Sequence, residues 1–303
     1  MTDITLKHLR YFEALAHHGH FGRAAEACAI SQPALSLQIK ELEEILGSPL
    51  VERGARQIRP TALGDAMAVR AREVLRAVEE LEEMARAFRD PFSGRLRLGA
   101  IPTVAPYLLS GVVRALADRY PGMDVRPREA VTRTLVEELL GGRLDAALVA
   151  LPISEPSLVE HALLEEEFVL VRPTRDADAP VPNTDELRGI RLLLLEEGHC
   201  FREQAIAYCR IPAGTVRDTM QGSSLSTLVQ MVDVGLGVTL IPEMAVKVES
   251  RAAAVAVARL PVPQPTRVIG MVWRRTNPMA DHLKTIAGVV RQVAHETGLS
   301  GGG

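Results

Sequence analysis

The fold of the N-terminal region is decided by the stretch FGRAAEACAISQPALSLQIKELEEILG, residues 21–47. Its first part predicts a short helix over about Gly22–Cys28. Ser31 then supplies a capping hydroxyl just before Pro33, and the first turn of a helix accepts proline readily. The second helix stops at Gly47, and its apolar face consists of Leu35, Ile39, Leu42 and Leu46. The stretch therefore predicts two helices joined by a tight turn.

A further helix precedes this stretch, and a small hairpin follows it. The helix ends near His17–Gly19, and its apolar residues recur at helical spacing: Leu6, Leu9, Phe12 and Leu15. On the other side, Val51–Arg53 and Gln57–Arg59 flank Gly54 and predict the two strands of a wing. Residues 1–60 are thus predicted to form a winged helix-turn-helix.

Short polar side chains open the second helix of the turn, and such a helix suits the major groove of DNA. Its N-terminal amides favour phosphate, while the short side chains can approach base edges. Contacts to double-stranded promoter DNA are predicted for Ser31, Gln32, Pro33, Ser36 and Gln38. We expect phosphate or minor-groove contacts from Lys40 and from the wing residues Arg53, Arg56 and Arg59. A helical bundle with a solvated polar face is the alternative that spacing alone leaves open.

Charge does not by itself indicate a nucleic-acid binder. The net charge of the chain is −3, and residues 1–60 carry equal numbers of basic and acidic side chains. Contact with DNA must therefore come from an arranged face rather than from a generally basic domain.

Composition argues against a membrane protein. Hydrophobic residues make up 47% of the chain and charged residues 24%, as in ordinary globular proteins. The longest apolar runs are far shorter than the ~20 residues that span a bilayer, and the first residues contain no apolar export signal. We expect a cytoplasmic protein with no membrane partner.

The longest helical pattern runs from about Ala62 to Arg89, with Gly64 as its one weak residue. Its apolar residues repeat every ~3.5 positions, which marks a seam between two helices; they are Leu63, Met67, Ala71, Val74, Val78, Leu81, Ala85 and Phe88. We predict that residues 61–90 form a linker helix that pairs with the same helix of a second chain. Packing on the chain's own globular domain is the alternative. Residues 91–95 are predicted to be a hinge.

From Leu96 onward, predicted strands and helices alternate, which is typical of α/β proteins with mostly parallel sheets. Strands are predicted at Leu96–Ile101, Val125–Arg128, Leu144–Val149, Phe168–Arg172, Arg191–Leu195, Val238–Ile241 and Val268–Trp273. Helices are predicted at Ala105–Arg119 and Leu135–Leu140. About 200 residues of this pattern fit two lobes better than one. Residues 96–303 are therefore predicted to be a two-lobed α/β region.

Two of the three cysteines, Cys200 and Cys209, lie in the segment EEGHCFREQAIAYC, residues 196–209. Neither a CxxC pair nor a second His/Cys cluster accompanies them, so we predict no metal and no cofactor. Thiol chemistry fits better, since His199 and Arg202 favour a thiolate, although the neighbouring glutamates oppose it. Two inert buried thiols are the alternative, and Cys28 is expected to belong to the core of the N-terminal region.

Spacing restricts what this cysteine pair can do. In a helix over 200–209 the two residues would be ~13 Å apart, because each residue advances the helix by ~1.5 Å. A disulfide needs Cα atoms within ~7 Å of each other. Joining Cys200 to Cys209 would therefore require the segment to unwind, which makes the bond a structural switch.

The N-terminal motifs resemble those of LysR-type transcriptional regulators. The residues that carry the resemblance are Phe21–Ala25, Ser31–Ser36, Leu42–Gly47 and Pro60-Thr61, and the similarity continues through the linker helix and the α/β region. It implies a sensor region folded like the periplasmic binding proteins. It also implies a homodimer or homotetramer on an inverted-repeat DNA site, with RNA polymerase as a partner.

Two further segments resemble the peroxide-sensing members of that family. They are Gly198–Cys200 with Arg202–Ala205 and Cys209, and Ile101–Leu109. The resemblance implies that Cys200 is the peroxidatic cysteine and Cys209 the resolving one. It further implies that hydrogen peroxide is held or activated by Thr103, Thr132 and His199, with Arg267 as the cation that stabilises the thiolate. A glutaredoxin or thioredoxin would then restore the thiols.

Three hypotheses about function follow. The preferred one is a regulator, not an enzyme, that senses hydrogen peroxide and activates antioxidant genes. The second is a regulator that binds a small organic co-inducer between the lobes, with incidental cysteines. The third is a thiol peroxidase, against which the helix-turn-helix argues. The cysteine pair Cys200 and Cys209, together with Thr103 and His199, argues against the second.

Overall fold

A computed structural model of the chain describes residues 4–52, 58–87, 92–209, 220–251 and 253–296. The chain divides into two compact units, one that ends at Ala85 and one that begins at Arg86. Within the described ranges, no helix is both long enough and apolar enough to cross a membrane.

The first unit contains a helix-turn-helix, as predicted. Its elements are α1 (Leu6–His18), α2 (Phe21–Ala27), α3 (Gln32–Leu46), β1 (Val51–Glu52) and β2 (Arg59–Pro60), with the two strands antiparallel. The hydroxyl oxygen of Ser31 accepts the amide of Ala34 at 3.4 Å and caps α3. Gly47 ends that helix with a positive φ of 67°. The apolar faces meet in one core, which includes the fully buried Phe12, Leu15, Leu35, Ile39, Leu42 and Leu50.

The long helix α4 spans Ala62–Ala87 and begins directly after the hairpin. Ala71, one of the predicted seam residues, is buried, so this part of the seam on α4 packs within the first unit. Val74 is 44% exposed and Leu81 is 63% exposed, so that stretch of the seam has no cover within the described part of the unit. The predicted seam residue Phe88 lies outside the described residues.

Gly64 has a packing role that its sequence context does not reveal. A Cβ at this position would collide with the carbonyl oxygen of Leu50 and come within 3.1 Å of its carbonyl carbon and of the Cβ of Pro60. The absence of a side chain therefore lets α4 lie directly against the backbone that leads into the wing.

The second unit contains nine strands and seven α-helices in its described ranges. The strands are β3 (Gly94–Ala100), β4 (Met123–Glu129), β5 (Ala146–Leu151), β6 (Leu158–Pro173), β7 (Leu194–Leu195), β8 (Gln221–Gly222), β9 (Thr239–Pro242), β10 (Val255–Arg259) and β11 (Thr266–Arg274). The helices are α5 (Ser110–Arg119), α6 (Thr132–Leu140), α7 (Thr184–Leu187), α8 (Cys200–Cys209), α9 (Leu225–Asp233), α10 (Glu243–Glu249) and α11 (Ala280–Glu296). A π-helical turn, Ala105–Leu109, leads into α5.

Two buried clusters define the two lobes of this unit. The first surrounds β3 and β5 and includes Leu98, Trp273 and Ile286. The second includes Phe168, Phe201 and Leu240. The long strand β6 contributes Leu163 to the first cluster and Phe168 to the second, so it runs through both lobes. The predicted two-lobed α/β region is thus confirmed.

The prediction of mostly parallel sheets is wrong at the centre of the main sheet. Its strand order is β10-β6-β11-β5-β3-β4, and β9 also pairs with β6. The pairs β3–β4 and β3–β5 are parallel, but β11 is antiparallel to both β5 and β6, and β9 and β10 are antiparallel to β6. The alternation of helices and strands does not reveal the direction of the long strands β6 and β11.

The first half of β6 was missed, and β3 begins earlier than predicted. Only Phe168–Arg172 was predicted as a strand, because glutamates interrupt the apolar pattern before Phe168. The strand β3 begins at Gly94, two residues inside the predicted hinge 91–95.

The register between β6 and β11 places Arg267 directly opposite Glu166. The register shifts between Ile269 and Gly270, where a β-bulge interrupts the ladder. A Cβ at Gly270 would lie 2.7 Å from the Cγ of Leu151 and 3.0 Å from the carbonyl oxygen of His161. Glycine at the bulge therefore permits the close approach of β5, β6 and β11.

We predict that Gly64→Ala destabilises the first unit by about 1–3 kcal/mol, although alanine is normally the better helix former. The added methyl group would collide with the Leu50 carbonyl. Calorimetric unfolding of the full chain measures the effect as a lower melting temperature.

Gly288→Ala in α11 is the matched control for Gly64→Ala. A Cβ at Gly288 meets nothing within 4 Å, so this change should stabilise the second unit by about 0.5–1 kcal/mol. Stabilisation by both substitutions would contradict the packing role of Gly64.

Candidate functional site

Cys200 is the first residue of α8 and is half-buried beside a narrow cleft. The walls of the cleft come from the turn after β3, the start of α6 and the start of α8: Ile101, Pro102, Thr103, Val131, Thr132, His199, Cys200 and Phe201. The structure thus brings together four of the predicted site residues, which lie almost a hundred residues apart in the sequence.

Two threonines line this cleft, and their hydroxyl groups differ in hydrogen bonding. Thr103 is buried after β3, and its hydroxyl oxygen accepts a hydrogen bond from Arg267 at 2.8 Å. The hydroxyl of Thr132, at the start of α6, is buried with no hydrogen-bond partner among the described groups. Because buried hydroxyls are normally hydrogen-bonded, the Thr132 hydroxyl lacks a partner that a bound polar molecule would supply.

Arg267 is connected to the cleft by its hydrogen bonds to Thr103. Its Nη1 donates to the Thr103 hydroxyl at 2.8 Å, and its Nη2 donates to the Thr103 carbonyl at 3.0 Å. The guanidinium carbon also lies 5.4 Å from the centre of the Phe201 ring, within the range of a cation–π contact.

Glu166 completes this network and was missed by sequence reasoning. Its carboxylate accepts from Nε of Arg267 at 2.8 Å and from the amide of Met244 at 3.1 Å. The side chains of Arg267 and Glu166 are 0% and 2% exposed, so the ion pair is fully buried. The sequence shows three consecutive glutamates, 165–167, and nothing local distinguishes the middle one.

His199 lines the cleft beside Cys200 and is half-buried. Burial lowers the pKa of His199, and the nearby carboxylates of Glu196 and Glu129 oppose that effect. The imidazole is therefore neutral at neutral pH, and a neutral imidazole can both accept and donate a hydrogen bond.

Arg202 does not take the role suggested by its position near Cys200. Its guanidinium is buried, and its Nη1 donates to the carbonyl of Leu195 at 2.6 Å. It therefore joins α8 to the end of β7. The predicted role of Arg202 in favouring a Cys200 thiolate is therefore not supported, because the guanidinium binds this carbonyl and lies 4.0 Å from Glu203.

Cys209 is the last residue of α8 and lies in the core of the second lobe, with no exposed surface. Burial raises the pKa of the Cys209 thiol to about 11. Both cysteines are free thiols. The predicted helix over 200–209 is observed, so its rise separates the two residues by ~13 Å.

A wider groove adjoins the narrow cleft and shares Thr132, His199 and Cys200 with it. Its volume is about 570 Å³, and its other walls include Val136, Pro152, Ile153 and the charged Arg133 and Glu155. Such a volume suits a small organic molecule. Among the described residues, no group of three or more His, Cys, Asp and Glu side chains could hold a metal ion.

The predicted DNA-facing residues form an exposed surface at the start of α3. Ser31, Gln32, Pro33, Ser36 and Lys40 are all exposed. Lys40 lies 3.4 Å from Glu44, and the half-buried Gln38 donates to Glu41 at 2.8 Å. Arg59 is exposed in β2, whereas Arg53 and Arg56 lie outside the described residues. Sequence reasoning missed Leu37, which is 64% exposed on the same helix.

Comparison with known proteins assigns a family to both parts of the chain. Residues 6–65 match the family described as bacterial regulatory helix-turn-helix protein, lysR family. Residues 89–294 match the LysR substrate binding domain.

Individual relatives cover nearly the full length. A probable hydrogen peroxide-inducible genes activator of Streptomyces viridosporus is 44% identical over 96% of this chain and 95% of its own. The DNA-binding transcriptional dual regulator OxyR of Escherichia coli K12 is 39% identical, with 95% of each chain covered.

Solved structures agree with the sequence comparison. A full-length cysteine-to-aspartate mutant of OxyR from Pseudomonas aeruginosa has a TM-score of 0.75 and 33% identity, and 96% of each chain is covered. A hydrogen-peroxide-bound cysteine-to-serine mutant of OxyR from Corynebacterium glutamicum has a TM-score of 0.67 and 32% identity, with 97% of this chain and 93% of that chain covered.

We predict that iodoacetamide at pH 8 labels Cys200 at least about a hundredfold faster than Cys209, because the thiolate is the reactive form and Cys209 is both buried and protonated. Peptide mass spectrometry of the native full chain measures both rates. Labelling of Cys209 should rise as the pH approaches 11, the pKa of its buried thiol. Equal rates at pH 8 in the folded chain would show that Cys209 is not held in the core.

Proposed function

The chain belongs to the LysR family of bacterial helix-turn-helix regulators, and we propose that hydrogen peroxide switches it through Cys200 and Cys209. One observation carries the proposal: a half-buried cysteine opens α8 beside two threonine hydroxyls, and the other end of the same helix holds a buried second cysteine. The names of its relatives, as hydrogen peroxide-inducible genes activators, support the same stimulus.

The first step is attack of the Cys200 thiolate on one oxygen of hydrogen peroxide. A sulfur–oxygen bond forms as the oxygen–oxygen bond breaks, and Cys200 becomes a sulfenic acid. The leaving oxygen keeps the bonding electron pair, takes up a proton and departs as water. Hydrogen bonds from Thr103, Thr132 and His199 would hold both peroxide oxygens and stabilise the developing negative charge.

The second step joins the two cysteines. The Cys209 sulfur attacks the Cys200 sulfur, the sulfur–oxygen bond breaks, and the hydroxyl leaves as water with the proton of the Cys209 thiol. In sum, two thiols and one hydrogen peroxide give one disulfide and two waters. Because α8 holds the cysteines ~13 Å apart, the helix must unwind before they can meet.

Unwinding of α8 would transmit the signal to DNA. We assign DNA binding to residues 1–60, dimerisation to the linker helix 61–90, a hinge to 91–95 and sensing to 96–303. The exposed Val74 and Leu81 on α4 support pairing with a second chain. Remodelling around 198–221 would change how sensor regions pair in a homodimer or homotetramer, and so change the spacing of the DNA-binding units and their contact with RNA polymerase at antioxidant genes.

Return to the resting state requires reduction of the disulfide. A glutaredoxin or thioredoxin has the dithiol chemistry for this exchange. The proposal places the protein in a reducing cytoplasm, where the two thiols stay free until peroxide rises.

A second candidate function is response to a small organic co-inducer. The groove of about 570 Å³ beside Cys200 favours it. In that case the cysteines would be incidental.

We predict that a small molar excess of hydrogen peroxide produces a disulfide between Cys200 and Cys209 in the full chain. Trapping of the thiols followed by peptide mapping detects it. Cys200→Ser should abolish both the disulfide and the change in promoter binding, whereas Cys209→Ser should accumulate the Cys200 sulfenic acid. Cys28→Ser is the control and should respond like the wild type. Failure of the wild type to form the disulfide would favour the co-inducer function.

We predict that Ser36→Ala weakens binding to a promoter fragment selected by this chain by about 1–3 kcal/mol and relaxes sequence preference. Lys40→Ala should instead weaken binding to all sequences and reduce the slope of log affinity against log salt by about 1, because it removes a phosphate contact. Titrations of DNA at several salt concentrations separate the two effects. Equal losses on specific and random DNA for Ser36→Ala would exclude base readout by this residue.

A further inference from the structure

We propose that Glu166 is a positioning residue for the oxidation of Cys200, because it orients Arg267 so that the Thr103 hydroxyl donates its proton into the cleft. The inference rests on the proposed peroxide response and deepens it. Glu166 is not among the residues that line the cleft, so its effect on Cys200 passes through Arg267 and Thr103.

Both carboxylate oxygens of Glu166 are held in place. One oxygen accepts from Nε of Arg267 at 2.8 Å and also lies 2.8 Å from its Nη2. The other accepts from the backbone amide of Met244 at 3.1 Å, at the start of α10. Because Glu166 and Arg267 are also direct cross-strand partners, the carboxylate fixes the plane of the guanidinium.

The orientation of Arg267 sets the direction of the hydrogen bond at Thr103. Two of its nitrogens donate to the hydroxyl and carbonyl of the same threonine, at 2.8 and 3.0 Å. A guanidinium has donors only, so the Thr103 hydroxyl must accept from it. The proton of that hydroxyl is therefore left for another acceptor, and the cleft that Thr103 shares with Cys200 is beside it.

A donor at this place is what the first oxidation step requires. Negative charge develops on the leaving peroxide oxygen as the Cys200 sulfur attacks. The Thr103 proton stabilises that charge as a hydrogen bond and is not itself transferred.

Glu166 also changes how the charge of Arg267 acts. The guanidinium is paired with Glu166 in a buried site. It therefore acts on the cleft by polarising the Thr103 hydroxyl, and not as an unpaired positive charge. Without the carboxylate, Arg267 would be a buried unpaired charge that favours a different orientation or added water.

The two neighbouring glutamates do not share this position. Glu165 accepts from the hydroxyl of Thr266 at 2.7 Å, and Glu167 accepts from Arg259 at 2.8 Å, both in exposed contacts. Alternation along β6 therefore directs only the middle glutamate of the three toward Arg267.

The test compares two reactions of Cys200 in the full chain with Glu166→Gln. The rate constant for oxidation by hydrogen peroxide should fall by about tenfold to a hundredfold, below the loss for a direct donor because Glu166 acts at one remove. Alkylation of Cys200 by iodoacetamide, which needs no donor at the leaving oxygen, should change by less than about threefold. An unchanged peroxide rate in folded Glu166→Gln would overturn the proposal.

A second test asks whether the effect of Glu166→Gln depends on the Thr103 hydroxyl, which distinguishes a positioning role from a general disturbance of the fold. In a Thr103→Val background, which lacks the hydroxyl, Glu166→Gln should reduce the peroxide rate by less than about twofold further, because coupled residues are non-additive. Higher peroxide concentrations keep the slow rates measurable. The same fractional loss in both backgrounds would show that Glu166 does not act through Thr103 and would overturn the inference.

Glu165→Gln on the same strand is the matched control and should leave the peroxide rate unchanged. If Glu166→Gln fails to fold, Glu166→Asp is used instead. Aspartate keeps the negative charge, but its shorter side chain moves the carboxylate away from Arg267. The peroxide rate should fall less in Glu166→Asp than in Glu166→Gln, and this loss should again vanish in the Thr103→Val background. A loss of rate that persists in that background overturns the inference. Absence of Cys200 oxidation in the wild type would instead refute the proposed function itself.

Discussion

The buried ion pair between Glu166 and Arg267 is the interaction on which the geometry of the site depends. It joins the two long strands β6 and β11, and its hydrogen bonds reach Thr103 after β3 and the amide of Met244 at the start of α10. Burial of two charges costs several kcal/mol per ion, and loss of one partner typically costs about 3–5 kcal/mol, because the other is left unpaired. Both ends of this pair are satisfied by further hydrogen bonds, so it can hold the cleft in one arrangement.

In the proposed switch, the helix α8 would be the part that moves beside this buried ion pair. Its ten residues are too few for a stable isolated helix, since those shorter than ~12–15 residues are marginal in water. Burial of Phe201, Ala205 and Cys209, with the Arg202 bond to Leu195, holds it in place. A disulfide between its ends would replace these contacts, so the chemical step and the structural change are coupled through one short helix.

The reliability of the sequence predictions follows the range of the interactions involved. The caps at Ser31 and Gly47 and the apolar spacing of α3 are local, and the helix-turn-helix was predicted with nearly correct limits. The strand directions depend on partners distant in the chain, and the mostly parallel sheet was wrong for that reason. The first half of β6 was missed because three consecutive glutamates, 165–167, interrupt its apolar pattern, although the middle one is buried. Gly64 looked like a weak point in a helix, whereas its contact with Leu50 explains it.

The sequence by itself determined the family, the order of the parts and the separation of Cys200 from Cys209, because helical rise and local motifs depend only on neighbouring residues. Only the tertiary structure decided which side chains act together. It turned Arg202 toward a backbone carbonyl, left the buried Thr132 hydroxyl without a hydrogen-bond partner among the described groups, and selected Glu166 from three consecutive glutamates. The reason is register: a shift of one residue between β6 and β11 would turn Glu166 to the opposite face, and no local pattern specifies that pairing.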